Sequence, residues 1–261
     1  MEDVAADAAT AHAPSLYVIF LNSTHHEYSW PRDFVPAFTP FLTGVPLLSV
    51  KLNADETELL KNRYRNALAF TDGLVANLRE RIEKTQRGNK SIFVFTGDHG
   101  EELLEEGNLS HSSKLNSYQI QVPLYFSFAG EKRSIPTPFP AGHIDIFPTL
   151  LDYLGEYDMA SELLPGRSLL RPHVQPTSLT ANCSNYTPHL YHIQTAQTQW
   201  EVELRGAAKA GRVIRASGLD VYRLRTPNPS REELFLASEQ LRKDVGQFAG
   251  QAGTVVARSR R

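Results

Sequence analysis

The sequence predicts an α/β protein with a mostly parallel sheet flanked by helices, followed by a small β-containing subdomain. Short apolar runs end in polar loops, as buried parallel strands do at their ligand-bearing carboxyl ends. A long amphipathic stretch lies between two of these runs, as in a unit of strand, helix and strand. After residue 165 the pattern changes to short runs separated by turns, which is typical of short strands.

The composition is that of a globular protein with a hydrophobic core. Hydrophobic residues make up 41% of the 261 residues, charged residues make up 21%, and the formal net charge is −2. A nearly neutral chain lacks the basic surface of a dedicated nucleic-acid binder. No apolar run approaches the roughly 20 residues of a membrane span. The single Cys183 cannot form an internal disulfide, so cysteine usage leaves the compartment open.

The N-terminal part is predicted to contain one buried strand. Residues 1–14 are Ala-rich and acidic, unlike a signal peptide, and are expected to be disordered. The apolar run from Ser15 to Leu21 predicts a buried parallel strand, and the polar loop after it contains His25 and His26. Residues 31–50 include four prolines and show little periodicity, so we expect an irregular surface segment there.

A long helix followed by a second strand is the most regular part of the pattern. Apolar residues recur at helical spacing from Asp55 to about Gln86, and Asn53 or Asp55 can cap the start of this helix. The run from Ser91 to Thr96 predicts a second buried strand. Strand, helix and strand therefore alternate as in a parallel βαβ unit.

Two further elements complete the predicted organisation. The run from Val122 to Phe128 predicts a third strand that is entered at a proline. Residues Ile144 to Leu154 predict a helix. We therefore expect an α/β domain over residues 15–164, a small β-containing subdomain over residues 165–240 and a polar tail over residues 241–261.

Asp98 and His99 are candidate metal ligands because they follow the end of the second strand. Ligands of open α/β sheets bind at the carboxyl ends of strands. A carboxylate oxygen with an imidazole nitrogen suits zinc and other divalent ions. Gly97 and Gly100 flank the pair and let the backbone turn so that both side chains can face one site. The alternative is an ordinary strand-to-loop turn in which Asp98 caps a helix.

Longer motifs connect this segment to a known family. The chain contains Thr96-Gly97-Asp98-His99-Gly100-Glu101-Glu102, then Gly107, Ser110-His111-Ser112-Ser113, Gln119 and Val122-Pro123-Leu124, followed by His143 to Gly155 and Gly166-Arg167-Ser168-Leu169. In this order they resemble the sulfatase and alkaline-phosphatase superfamily, and most closely its membrane phosphoglycerol or phosphoethanolamine transferases. The resemblance covers roughly residues 15–170 and implies an alkaline-phosphatase-like α/β fold whose N-terminal part is missing here.

The resemblance implies a metal-dependent attack on a phosphate or sulfate ester, by hydrolysis or by transfer to an acceptor alcohol. Asp98 and His99 would hold a divalent metal, with Zn or Mn favoured over Ca or Mg. His111 would donate a proton to the leaving group or act as an auxiliary ligand. His25 or His26 is similar to the family's histidine that contacts the transferred group, and at least one of the two is expected to be an ordinary surface residue. The substrate would be a phosphate or sulfate ester, with a lipid head group as one option.

Other residues of these motifs are expected to have supporting functions. Glu101 and Glu102 would form a solvated helix start or would support His99, since metal-bound imidazoles usually donate their other N–H to an acceptor. His143 and Asp145 would cap the helix that follows them and would not bind metal.

The family's nucleophile and its first acidic metal ligands have no counterpart in this sequence. Cys183 does not match the Cys-x-Pro-x-Arg pattern of formylglycine sulfatases and it follows the Asp-His pair, so it is interpreted as a structural cysteine. The chain by itself is therefore expected to show no turnover. The alternative is a non-catalytic sulfatase-like module that binds a lipid head group or a protein partner.

Overall fold

The computed structural model of the chain describes residues 2–44, 51–85, 88–128, 131, 140–164, 166–172, 177–182, 190–195, 199–209 and 212–224. The chain divides into two compact units, Met1–Arg133 and Ser134–Arg261. The domain boundary expected near residue 165 therefore falls inside the second unit. Within the described ranges, no helix is both long enough and apolar enough to cross a bilayer.

The N-terminal segment is helical, so the prediction of disorder there is wrong. Helix α1 spans Glu2–Thr10 and is rich in alanine, the residue with the highest helix propensity. A helix this short is marginal in water on its own. Ala5, however, is buried against Leu78 and Ile82 of the next helix. This tertiary packing, which the sequence pattern did not reveal, stabilises the segment.

Helix α2, Ala54–Glu83, confirms the long helix predicted from hydrophobic periodicity. Asn53 is its cap: the Asn53 side chain accepts a hydrogen bond from the Glu56 N–H at 3.0 Å, and the Glu56 carboxylate accepts one from the Asn53 N–H at 2.9 Å. Two N–H groups that the helix start would otherwise leave unpaired are satisfied in this way.

The inner face of α2 supports the loops that carry the candidate site. Leu60 and Ala67 are fully buried and pack in one hydrophobic cluster with Tyr28, Leu103 and Leu109. Tyr28 comes from the loop after the first apolar run, and the two leucines come from the segment after the Asp-His pair. The helix therefore holds two sequence-distant segments against each other.

The segment around the Asp-His pair consists of four short strands and one helical turn. In chain order these are β1 (Phe93–Thr96), β2 (Glu102–Leu103), β3 (Leu109–Ser110), α3 (Ser117–Ile120) and β4 (Leu124–Ser127). β1 and β4 pair with Val94 opposite Phe126, and β2 and β3 form a hairpin. The predicted second and third strands are therefore present. All strand pairs in the described part of the chain are antiparallel, which differs from the mostly parallel sheet that we expected.

The first predicted strand does not form. Residues 14–22 belong to no helix or strand. Leu16, Val18 and Phe20 are 80%, 88% and 73% exposed, although their apolar pattern is that of a buried strand. A strand requires a hydrogen-bonded neighbour, and no strand in the described residues pairs with this segment. The irregular path predicted after it is confirmed for residues 31–44.

The second unit begins with helices and ends with an antiparallel sheet. A 3-10 turn, His143–Asp145, precedes the helices α4 (Ile146–Tyr153) and α5 (Tyr157–Leu163). Strands β5 (Thr177–Asn182), β6 (Leu190–Thr195), β7 (Gln199–Lys209) and β8 (Arg212–Leu224) then form a meander in the order β5-β6-β7-β8. The β-containing region predicted after residue 165 is therefore confirmed over these strands. Cys183 and the predicted tail 241–261 lie outside the described residues.

Asp145 stabilises a turn of the backbone, close to what was predicted for it. One of its carboxylate oxygens accepts a hydrogen bond from the Gly142 N–H at 2.9 Å, and the other accepts one from the Arg167 N–H at 2.9 Å. Asp145 thus caps the 3-10 turn that begins at His143, whereas α4 itself starts without a side-chain cap hydrogen bond. Both carboxylate oxygens are occupied by backbone amides, which suits a structural residue.

Candidate metal centre

Asp98 and His99 follow directly on β1, through Gly97. The Asp98 side chain is 65% exposed, and its Oδ2 atom lies 3.6 Å from His99 Nε2. His99 Nδ1 lies 2.9 Å from the carbonyl oxygen of Gly100. A carbonyl oxygen can only accept, so Nδ1 carries the ring proton in neutral His99 and Nε2 keeps its lone pair. The ligand atoms of the pair, Asp98 Oδ2 and His99 Nε2, therefore face each other.

Gly100 is required by a close approach of the backbone. A Cβ atom at this position would lie 2.1 Å from the carbonyl oxygen of Tyr118 in α3. The Gly100 N–H donates a hydrogen bond to the carbonyl oxygen of Gln119 at 2.9 Å. The residue that follows His99 is therefore fixed against α3, which was not evident from the sequence.

Glu101 connects two sequence-distant residues. Its Oε1 atom accepts a hydrogen bond from the Tyr28 hydroxyl at 2.8 Å, and its Oε2 atom lies 3.0 Å from His111 Nδ1. Burial and the nearby Glu101 carboxylate raise the pKa of Tyr28 above its ordinary value, so its hydroxyl stays protonated and donates. Glu101 therefore supports His111 and not His99, and it precedes a strand instead of starting a helix.

His111 lies in a sharply bent loop, and its ring contacts two of the three other candidate histidines, His99 and His25. Ser110 and Ser112 on either side of it have φ angles of 76° and 66°, in the left-handed region that non-glycine residues rarely adopt. The rings of His111 and His99 are 3.8 Å apart between centroids. The His111 and His25 rings are 5.9 Å apart. Such local backbone strain is often found at functional sites.

Glu102 is a fully buried carboxylate surrounded by amide donors. Its oxygens accept hydrogen bonds from the backbone N–H groups of Glu106 and Asn108 and from the side-chain amides of Asn108, Asn116 and Gln119, over distances between 2.7 and 3.3 Å. Burial alone would raise the pKa of Glu102, but these hydrogen bonds outweigh it and lower the pKa to about 2. The expectation that Glu102 is solvated is therefore wrong.

The network around Glu102 also holds the loop that follows His111. The Gln119 amide donates to Glu102 at 2.8 Å, and its oxygen accepts from the backbone N–H groups of Ser113 and Lys114 at 3.1 Å each. The loop between β3 and α3 is thus attached to a residue at the start of β2. Gln119, part of the motif that resembles the family, has a structural role here.

The arrangement fits a divalent cation. One ligand atom from each of His99, Glu101 and His111 lies within 4.8 Å of the other two, and Asp98 stands beside His99. Imidazole nitrogens and carboxylate oxygens are the donor set of Zn and of similar ions. The sequence-predicted residues Asp98, His99 and His111 are therefore brought together.

The two histidines of the earlier loop differ in their surroundings. His25 is exposed and contacts the His111 ring edge-on. His26 turns toward Tyr28, with ring centroids 6.2 Å apart, and its Nε2 atom is buried with no hydrogen-bond partner among the described residues. His25 is therefore the one that joins the candidate centre.

Tyr28 and the role of Glu101 are what the sequence reasoning missed. In the sequence, Tyr28 is one aromatic residue in a polar loop, and Glu101 is one of two adjacent glutamates. No sequence signal separated the two glutamates, because Glu101 lies just before β2 and Glu102 is the first residue of that strand. Only the structure shows that Glu101 faces His111 and that Glu102 faces the buried amides.

Comparisons with known proteins agree with this geometry. The family model described as Sulfatase matches residues 2–156. Arylsulfatase K of Mus musculus is 28% identical over 127 residues, which are 48% of this chain and 21% of that protein. Iduronate 2-sulfatase of Homo sapiens is 33% identical over 109 residues, which are 41% of this chain and 18% of that protein. The chain thus spans about a fifth of the length of these curated relatives.

Solved structures show the same fold class. A protein from Bacteroides thetaiotaomicron that is assigned as a sulfatase superposes with a TM-score of 0.54 at 16% identity, over 79% of this chain and 47% of that one. A 2-O GAG sulfatase superposes with a TM-score of 0.51 at 15% identity, over the same shares of the two chains. These likenesses confirm the α/β, alkaline-phosphatase-like fold class that the sequence predicted.

Proposed function

This chain belongs to the sulfatase family, and from that premise we propose that it supplies one side of a metal centre that hydrolyses sulfate esters. The observation that carries the proposal is the convergence of His99 and His111, whose ring centroids lie 3.8 Å apart, next to the carboxylate of Asp98. Three groups able to bind a cation or transfer a proton meet at the end of a strand, where ligands of α/β proteins bind.

Asp98 and His99 are the residues that would hold the metal, and Zn or Mn is the ion we favour. The Asp98 carboxylate contributes an oxygen and the His99 ring contributes Nε2, because Nδ1 is engaged with the Gly100 carbonyl. A bound divalent ion supplies polarisation of the ester oxygens and neutralises developing charge. Two protein ligands hold a metal more weakly than the three of a catalytic zinc site, so weak binding is expected of this chain alone.

His111 and His25 would act on the ester itself. His111 Nδ1 faces Glu101, so Nε2 is the atom available to give a proton to the leaving oxygen or to bind the metal as an auxiliary ligand. His25 is exposed beside it, in a position to contact the sulfate group. His26 contributes to the packing around Tyr28 in this proposal.

Sulfate esters are preferred over phosphate esters as the substrate class because the matched relatives named above are sulfatases. Gln119 belongs to the motifs that resemble the family's phosphoglycerol and phosphoethanolamine transferases, and its hydrogen bonds with Glu102, Ser113 and Lys114 explain that residue without a substrate. A phosphate ester or a lipid head group is the alternative substrate, and turnover assays distinguish it from a sulfate ester.

Calorimetry tests the metal ligands. We expect weak binding of Zn²⁺ or Mn²⁺ to the chain, and we expect Asp98→Ala and His99→Ala each to abolish it. His143→Ala is the control: His143 lies in a 3-10 turn and is expected to stabilise the start of a helix without binding metal, so this variant should leave binding unchanged. Unchanged binding in both Asp98→Ala and His99→Ala would place the ligands elsewhere.

Turnover assays separate an enzyme from a binding module. No residue of the sequence resembles the family's nucleophile, so we expect residues 1–261 to hydrolyse p-nitrophenyl sulfate, p-nitrophenyl phosphate and a phospholipid head-group donor at background rates. Metal-dependent turnover that His99→Ala removes would show that a nucleophile lies within the chain. Head-group or partner binding that persists in Asp98→Ala would favour the non-catalytic module instead.

A further inference from the structure

We propose that Glu101 is a positioning residue that holds His111 with its ring proton on Nδ1 and thereby turns Nε2 toward the candidate metal centre. This role of Glu101 deepens the proposed function. It rests on that function in one respect: Nε2 of His111 has a use only if a metal or an ester binds at the centre. The tautomer itself is a property of the metal-free chain. It can therefore be measured whether or not the chain binds metal.

Both oxygens of the Glu101 carboxylate are occupied. Oε1 accepts from the Tyr28 hydroxyl at 2.8 Å, and Oε2 lies 3.0 Å from His111 Nδ1. The Glu101 side chain is only 5% exposed, so water does not compete freely for these contacts. An ionised carboxylate accepts and never donates. A proton on Nδ1 is therefore the only arrangement in which the contact between Glu101 and His111 is attractive.

Ser110 also approaches the same nitrogen, with its Oγ atom at 3.2 Å from His111 Nδ1. A hydroxyl can either donate or accept, so Ser110 adapts to whichever tautomer the ring adopts. Glu101 has no such freedom. The carboxylate therefore decides the tautomer, and Ser110 follows it.

Tyr28 fixes the carboxylate in turn. It is fully buried in the cluster on α2 and lies 73 positions before Glu101 in the sequence. Its hydroxyl holds one oxygen of Glu101, so the other oxygen is presented to His111. The buried core thus sets the orientation of the His111 ring, which is partly exposed at the candidate metal centre.

An oxygen of Glu101 lies close enough to His99 and His111 to bind a cation with them. The orientation of the two rings explains why Glu101 supports His111 instead. His99 Nδ1 faces the Gly100 carbonyl and His111 Nδ1 faces Glu101, so the two Nε2 atoms are available to a ligand. Histidines at metal sites are commonly oriented in this way by an acceptor on the other ring nitrogen. If Glu101 bound the ion, the cation would compete with Tyr28 and His111 for the same two carboxylate oxygens.

Nitrogen NMR of the neutral imidazoles in the metal-free chain is the test. We expect His111 to show the Nδ1–H form in the unmodified chain and the Nε2–H form to predominate in Glu101→Leu. Ser110→Ala is the matched control, because it removes the other contact of Nδ1 and should leave the Nδ1–H form in place. An Nε2–H form in the unmodified chain, or an unchanged tautomer in Glu101→Leu, would overturn the proposal.

The variant Tyr28→Phe/Glu101→Leu guards against loss of folding. Glu101→Leu alone strands the buried Tyr28 hydroxyl without its acceptor, which is destabilising, and the double variant removes both groups together. It should show the same change to the Nε2–H form with a circular dichroism spectrum like that of the unmodified chain. Retention of the Nδ1–H form in a folded double variant counts against the proposal. Lack of metal binding with the Nδ1–H form retained in the unmodified chain would contradict only the proposed function.

Discussion

Glu101 and Glu102 are neighbours of the same chemical type with opposite surroundings. Glu101 accepts from a hydroxyl and an imidazole beside the candidate centre. Glu102 is fully buried and accepts from amides, including those of Asn116 and Gln119. A buried carboxylate without a cation is stable only when hydrogen bonds replace its hydration. The negative charge of Glu102 therefore contributes to the stability of the fold, and substitutions of Glu102 should reveal that contribution.

We expect Glu102→Gln to destabilise the chain by about 3 kcal/mol at pH 7. A glutamine places an NH₂ group where two or more amide donors already point, so buried donors lose their acceptor. The change in the free energy of unfolding is measured by urea denaturation, followed through a spectroscopic signal from the first unit. Glu83→Gln is the control: Glu83 forms an exposed ion pair with Arg79 on α2, so the free energy of unfolding should change little.

The same substitution should change how stability depends on pH. The pKa of Glu102 is lowered from 4.5 to about 2, so its contribution is complete above pH 4.5 and is lost as the pH falls toward 2. The linkage amounts to about 3 kcal/mol over that window. The difference in unfolding free energy between the unmodified chain and Glu102→Gln should therefore shrink between pH 4.5 and pH 2. A constant difference over this range would contradict the assignment.

At the level of elements, the contact between the end of β1 and α3 sets the position of the site. Gly100 donates to the Gln119 carbonyl and has the Tyr118 carbonyl where a Cβ atom would be. His99 precedes this contact and Glu101 follows it. A shift of the backbone at Gly100 would therefore move both side chains at once.

We expect Gly100→Ala to destabilise the chain and to separate His99 from His111. A Cβ atom would lie 2.1 Å from the backbone oxygen of Tyr118, which cannot move as a side-chain tip can. Gly73→Ala is the matched control, because Gly73 lies in α2 with nothing within 4 Å of the position that a Cβ atom would occupy. It should stabilise the helix by about 0.5–1 kcal/mol. Thermal unfolding measures both changes, and equal shifts in the two variants would refute the steric argument.

At the scale of the whole molecule, the segment of residues 15–21, which precedes the loop with His25 and His26, exposes apolar side chains that can mediate association. Leu16, Val18 and Phe20 are exposed at alternate positions, and the segment belongs to no strand. Contiguous exposed apolar surface promotes association in soluble proteins.

We expect the chain to self-associate through this segment as its concentration rises. Val18→Lys and Phe20→Lys should reduce the mean mass measured by light scattering and the fluorescence of a bound apolar dye. Val35→Lys is the control, since Val35 is just as exposed but lies outside the segment. A monomeric unmodified chain at high concentration, or an equal effect of Val35→Lys, would show that the segment does not mediate association.

Local sequence is sufficient to predict the features whose causes lie within a few residues. The periodicity from Asp55 onward and the Asn53 cap specify α2. The apolar runs predict β1 and β4, and both runs form strands because each pairs with the other. The adjacency of Asp98 and His99 at a strand end likewise needs no distant contact. These elements are confirmed because propensity, capping and hydrophobic pattern act over one or two turns of chain.

Contacts between distant residues required the folded chain. The hydrogen bond from Tyr28 to Glu101 joins residues 73 positions apart, and Glu102 collects donors up to 17 positions away. Packing of Ala5 on α2 stabilises a helix in the N-terminal segment, which was expected to be disordered. The run from Ser15 to Leu21 failed as a strand because pairing requires a neighbour that its own sequence cannot supply. Composition and period describe what a segment can form, whereas the energy of buried polar groups depends on which partners the tertiary structure brings within hydrogen-bond distance.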